Sequence, residues 1–130
     1  MIAGRPARLV LFDIDGTILR SDGVGRRAMV AALREVFGGP GPDDHRYDGK
    51  TDPQIVREVM RIEGHHDAHI DERMDALMTL YLARLDRELE HADTFVYPGV
   101  RELLDALEAR DDTILGLLTG NLREGAYAKL

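Results

Sequence analysis

Two carboxylates, Asp13 and Asp15, stand two residues apart at the end of the apolar run Leu9 to Phe12, and Gly16-Thr17 turns the chain after them. Side chains alternate along extended backbone, so an i, i+2 pair opens into one mouth. Four apolar residues in a row, bounded by a turn signal, read as a buried strand. The carboxyl end of such a strand is where open α/β sheets bind ligands. A second apolar run, Ile114 to Leu118, ends in Thr119-Gly120-Asn121 and a helix start. In a parallel sheet this brings the Thr119 hydroxyl and the backbone N–H groups after it to the mouth that holds Asp13, where they can hold phosphate oxygens. Taken singly, each feature has a plain alternative: an acidic turn after a strand, and a common Thr-Gly turn.

Three histidines, His65, His66 and His69, have spacings that can converge on a helix face, as a metal site requires. No carboxylate is placed to complete the set, and Gly64 precedes them, so they read as solvated side chains. Asp43-Asp44 lies in a Pro/Gly loop and reads as a solvated turn.

The elements that must position these groups follow from periodicity. The first strand is expected over Ala7 to Asp13, after a short leader from Met1 to Pro6. A helix is expected over Val24 to Phe37, closed by Gly38-Gly39-Pro40. A loop runs from Gly41 to Thr51. Asp52 is then expected as the N-cap of a helix to Ile62, with Pro53 at its first position and Ile55, Val56 and Val59 inward. A long helix over Ile70 to Glu90 carries the stripe Ile70, Met74, Leu77, Met78, Tyr81, Leu82, Leu85 and Leu89, which suits a helical bundle. His91 to Tyr97 is extended, and Pro98-Gly99 is a hinge. A helix from Val100 to Ala109, with Val100, Leu103, Leu104 and Leu107 inward, leads to the second strand, and a last helix begins near Leu122. The order is strand, helical insert, helix, strand, helix. An insert of roughly 75 residues exceeds any ordinary α/β connection and should fold as its own unit.

The chain has 130 residues, 44% hydrophobic and 32% charged, with no cysteine. This suits a soluble globular protein without disulfides or thiolate metal sites. A net charge of −7 argues against nonspecific binding to nucleic acid or to an anionic membrane. It does not argue against a phosphorylated substrate, because a bound divalent cation reverses the local sign. The amino-terminal apolar run is too short for a secretory signal or a membrane span, which leaves the cytoplasm as the default location.

The string LVLFDIDGT, Leu9 to Thr17, closely resembles the first motif of the haloacid dehalogenase superfamily of phosphotransferases, and Thr119-Gly120 at its separation resembles the second. The resemblance implies a doubly wound, Rossmann-like parallel sheet core with an inserted α-helical cap, here a partial core over 1–20 and 98–130 and a cap over 21–97. It implies that Asp13 is a nucleophile forming an aspartyl-phosphate, that Asp15 is the general acid and base, and that Asp13 and the Asp15 backbone carbonyl hold part of a Mg²⁺ shell. Thr119, Gly120 and Asn121 would then bind phosphate. The family's charge-balancing lysine would be Lys129, although other members carry it further downstream. In Gly49-Lys50-Thr51-Asp52, the resemblance makes Lys50 and Thr51 candidates for substrate specificity, with Lys50 pairing a carboxylate or second phosphate; Arg46 and Tyr47 are weaker candidates. The plain alternative there is a loop with a helix cap.

The acidic motif with which the family completes its Mg²⁺ site has no candidate. Two core strands also fall short of the five or six usual in a doubly wound sheet. The sequence therefore reads as the amino-terminal part of a longer hydrolase. The expected activity is phosphoglycolate phosphatase-like hydrolysis of a small phosphorylated metabolite. The alternatives are a phosphosugar mutase of the same superfamily and a noncatalytic binding domain; a dehalogenase suits Asp15 with Thr17 less well.

Overall fold

The computed structural model describes residues 7–130; the expected leader lies outside them. The chain is α/β and runs β1 (Arg8–Phe12), β2 (Leu19–Arg20), α1 (Val24–Phe37), α2 (Asp52–Ile62), α3 (Asp67–Glu90), β3 (Phe95–Val96), α4 (Val100–Glu108), β4 (Thr113–Leu117) and α5 (Arg123–Lys129). Contacts divide it into two units, the first comprising the chain up to Arg20 with Thr94–Thr119, the second Ser21–Asp93 with Gly120–Leu130. No helix among the described residues is long and apolar enough to cross a membrane.

In the first unit β1 and β4 pair in parallel, from Arg8 opposite Thr113 to Phe12 opposite Leu117. α4 precedes β4 and begins after Gly99, whose φ of 86° admits the sharp entry at the expected hinge. β2 and β3 form a short antiparallel ribbon, Leu19 opposite Val96 and Arg20 opposite Phe95, with the Arg20 guanidinium over the Phe95 ring. The two apolar runs are strands, but they are not buried as expected: Leu9 is 62% and Ile114 59% exposed. α4 likewise has no buried residue, and Leu103, expected inward, is 48% exposed. The reason is the number of layers. Among the described residues β1 and β4 have only each other as strand partners, and a two-stranded sheet leaves apolar faces uncovered.

The second unit holds the main apolar core. Val24, Ala28, Met29, Ala32 and Leu33 of α1 meet Ile55, Val56, Val59 and Met60 of α2 and Ile70, Leu77, Met78, Tyr81 and Leu85 of α3. The α3 stripe faces inward as its spacing predicts, and Met74 and Met78 pack in the core. α1 stops at Gly38, whose positive φ lets its N–H reach the Arg34 carbonyl.

Two details differ from the sequence reading. The N-cap of α2 is Thr51, whose hydroxyl accepts the Gln54 N–H at 3.3 Å; Asp52 is the first helical residue, and its side chain goes elsewhere. The last helix, α5, has its contacts with the helical unit. Gly125 faces Leu82 and Leu85 there: a Cβ on it would lie 3.4 Å from Leu85 and 3.6 Å from Leu82.

Candidate active site

At the end of β1 the chain tightens into a turn organised by Ile14. Its carbonyl accepts the N–H groups of Thr17, Ile18 and Leu19 at 3.2, 2.9 and 3.2 Å, while the Gly16 N–H returns to the Leu19 carbonyl. The Ile14 side chain is fully buried, and the residues on either side of it, Asp13 and Asp15, are exposed. Burial of the residue between them sends both carboxylates outward, as the i, i+2 spacing predicts. Asp13 is further fixed by the Ile14 N–H, which donates to its Oδ1 at 2.8 Å. The Leu118 N–H donates to the Phe12 carbonyl at 2.8 Å, so Asp13 and Thr119 each follow the last rung of the same parallel ladder, at the same end of it. Asp13, Asp15 and Thr119 thus belong to one end of the two-stranded sheet.

The other expected phosphate-binding residues lie in the helical unit, where they meet the start of α2. The Asp52 N–H donates to the Gly120 carbonyl at 3.1 Å, and Asp52 Oδ2 accepts the Leu122 N–H at 2.8 Å. Asn121 Oδ1 accepts from Lys129 Nζ at 2.7 Å, and Lys129 is only 7% exposed. The sequence contains two lysines, Lys50 and Lys129, and each is bonded to a side-chain acceptor.

Lys50 Nζ donates to Glu58 Oε2 at 2.7 Å; His45 Nε2 lies 2.9 Å from the same oxygen, and Gln54 donates to Oε1. The Lys50 hydrogen bond, followed by those from His45 and Gln54, pulls the Glu58 carboxyl from its ordinary 4.5 to about 2. The loop before α2 is held from the other side by Arg26, which donates to the carbonyls of His45 and Asp43 and stacks on the Tyr47 ring at 4.2 Å. Burial raises the Tyr47 phenol, with Arg26 partly opposing.

Of the two specificity candidates, Thr51 commits its hydroxyl to capping, and Lys50 already has a carboxylate partner, with which a substrate anion would compete. Arg46 is exposed, 4.0 Å from Asp48. Glu58 and His45 were not singled out from the sequence, and Asp52 read there as a helix cap. The one available signal was that Glu58 is the only carboxylate of α2 beyond its first residue, one turn after Gln54.

Of the three histidines, His66 is the exposed N-cap residue of α3, while His65 and His69, half-buried rather than fully solvated, form a ring cluster. His65 and His69 stack with centroids 5.3 Å apart, and Phe37 lies against both. Arg73 Nε donates to His69 Nε2, an acceptor role that a metal would have to displace. Among the described residues no group of three or more His, Cys, Asp or Glu is placed to hold a metal. Asp43 and Asp44 are exposed in their loop.

The model of the haloacid dehalogenase-like hydrolase family matches residues 7–130. The chain belongs to this family. Among solved structures, it resembles a predicted phosphoglycolate phosphatase from Haemophilus somnus 129PT, with 18% identity and a TM-score of 0.53, over 94% of this chain and 55% of that one. A second similar structure is that of a HAD-hydrolase, YfnB, from Bacillus subtilis bound to magnesium, with 23% identity and a TM-score of 0.41, over 96% of this chain and 57% of that one. The chain therefore spans a little over half the length of each. At these identities the first likeness concerns the fold. No curated protein sequence matches the chain.

Proposed function

We propose that this chain carries the nucleophile of a Mg²⁺-dependent phosphatase that hydrolyses a small phosphorylated metabolite, phosphoglycolate phosphatase-like, through an aspartyl-phosphate. The observation that carries the reading is the pair of exposed carboxylates, Asp13 and Asp15, flanking the fully buried Ile14 at the carboxyl end of β1. An enzyme for phosphate monoesters, whose uncatalysed hydrolysis is among the slowest known, gains by splitting the displacement into two steps.

In the first step Asp13 Oδ2 attacks phosphorus while the Ile14 N–H holds Oδ1, and the bond to the ester oxygen breaks. Asp15, protonated, gives its proton to the departing alkoxide. In the second step the Asp15 carboxylate takes a proton from water; the water oxygen attacks phosphorus and frees Asp13 with inorganic phosphate. Thr119 and the Gly120–Asn121 turn after it are assigned to the phosphoryl oxygens, and Lys129 to charge balance. Lys50 is assigned to the nonreacting end of the substrate, where an anionic group competes with Glu58.

The donors suit Mg²⁺. The Asp13 carboxylate and the Asp15 backbone carbonyl would be oxygen donors at an exposed turn, which leaves the Asp15 carboxyl to carry protons, and Mg²⁺ is commonly bound through a carboxylate with waters and substrate phosphates completing its octahedron. When bound, it neutralises charge on the phosphoryl group.

The test is phosphate release from a panel of small phosphomonoesters, phosphoglycolate among them, by the protein expressed from its native gene. Release that is lost in Asp13→Asn, with the helical content intact, is the expected result. Release at the same rate in the variant would overturn the mechanism, and conversion between phosphosugars without phosphate release would replace the phosphatase with a mutase.

A further inference from the structure

We propose that Asp52 is a positioning residue: it holds the Gly120–Asn121–Leu122 turn against the start of α2, and through Asn121 it fixes the ammonium of Lys129. Its catalytic consequence rests on the phosphatase reading above; the geometry itself does not.

Asp52 is 7% exposed, and a buried carboxylate is costly unless it is used. It spans the turn with two bonds, its own N–H to the Gly120 carbonyl and its Oδ2 to the Leu122 N–H. Leu122 is the N-cap of α5 and offers no side-chain cap of its own. In a capping box, a Glu or Gln three residues into the helix reaches back to the N-cap N–H. Here that position is Gly125, which has no side chain to reach back to the Leu122 N–H. The missing carboxylate is supplied by Asp52, seventy residues earlier in the chain.

The clamp acts on Asn121, the residue between its two bonds. Asn121 Oδ1 accepts from Lys129 Nζ at 2.7 Å, and Lys129 sits beside Gly25, where a Cβ would lie 3.4 Å from Nζ. A turn free to shift would carry Asn121 Oδ1 away from the ammonium. The segment Lys50–Asp52 thus ties the proposed specificity lysine and the proposed charge-balancing lysine to one backbone junction.

Because Lys50 and Lys129 are the only lysines, trace acetylation read by mass spectrometry reports each separately. The expected result is that Asp52→Ala raises the labelling rate of Lys129 several-fold. Asp52→Asn, which keeps an oxygen for the Leu122 N–H, should leave it at the wild-type rate. In the enzyme from the native gene, Asp52→Ala should lower kcat about tenfold to a hundredfold with little change in KM, as expected of a misplaced group, and Asp52→Asn should restore it. Unchanged Lys129 labelling in Asp52→Ala would overturn the clamp, as would Asp52→Asn labelling like the alanine variant. If Asp52→Ala does not fold, Asn121→Ala, which removes the Oδ1 acceptor of Lys129 Nζ, should raise Lys129 labelling in its place; an unchanged rate there would also overturn it. If no phosphomonoester is hydrolysed at all, the phosphatase reading fails while the labelling still decides the clamp.

Discussion

Gly120 and Lys50 meet backbone to backbone: a Cβ on Gly120 would lie 2.1 Å from the Lys50 carbonyl oxygen and 2.7 Å from its carbon. Neither atom can swing aside as a flexible side chain would. Gly120→Ala should therefore destabilise the helical unit by about 1–3 kcal/mol, the usual cost of overpacking, seen as a lowered urea midpoint. An unchanged midpoint would show that the two segments separate at little cost.

Gly125 offers the opposite case within the same unit. It lies inside α5, its Cβ would meet only the ends of Leu82 and Leu85 at ordinary contact distance, and its backbone carries no positive φ. Gly125→Ala should raise stability by about 0.5–1 kcal/mol through helix propensity. A loss comparable to that of Gly120→Ala would mean that α5 lies closer to α3 than these distances state.

Asp15 can be separated from Asp13 by choice of leaving group. For an alkyl phosphate, Asp15→Asn should cost about 10²–10⁴ in turnover, the usual range for a general acid. For p-nitrophenyl phosphate the first step needs no proton. The variant should then give a rapid burst of p-nitrophenol and a slow steady state, because water is no longer activated. Equal losses on both substrates, with no burst, would count against Asp15 as the proton carrier.

Glu58 makes the loop before α2 sensitive to acid. Its carboxyl is pulled down to about 2, first by Lys50, then by His45 and Gln54. A group with a depressed folded pKa contributes stability that is present above its ordinary value near 4.5 and is lost as pH falls toward 2. Asp112, drawn from its ordinary 3.8 to about 2 chiefly by its bond to Arg110, adds a loss over the lower part of that range. The thermal midpoint should therefore fall between pH 4.5 and 2, and Glu58→Gln should flatten part of that fall. A variant curve parallel to the wild type would show that the Glu58 bonds do not survive in solution.

The sequence was most legible where periodicity and local chemistry agree. The α1 bounds, the end of α2, the inward stripe of α3 and the outward carboxylates around Ile14 all follow from spacing over fewer than about eight residues. Asp52 shows where such reading stops. An Asp before a Pro at a helix start looks like a cap, yet Thr51 takes that part and Asp52 bonds to a residue seventy positions away, a contact that leaves no trace in local pattern. Lys50 read as a partner for a substrate anion, and its bond to Glu58, across a loop-to-helix corner, was not foreseen. The apolar runs of β1 and β4 correctly announced strands, but burial depends on how many layers cover a sheet, which no single strand records.

The β2–β3 ribbon makes everything between Arg20 and Phe95 a hairpin loop by connectivity, and the entropy of closing a loop grows only with the logarithm of its length. Connectivity alone would let one cap be exchanged for another of different size. Packing forbids so free an exchange. A transplanted cap would have to bring an aspartate at the head of its own second helix and a pair of leucines for Gly125 to rest against, or α5 would arrive with nothing to lie on. The loop that carries the proposed specificity lysine is thereby tied to the stability of the last helix.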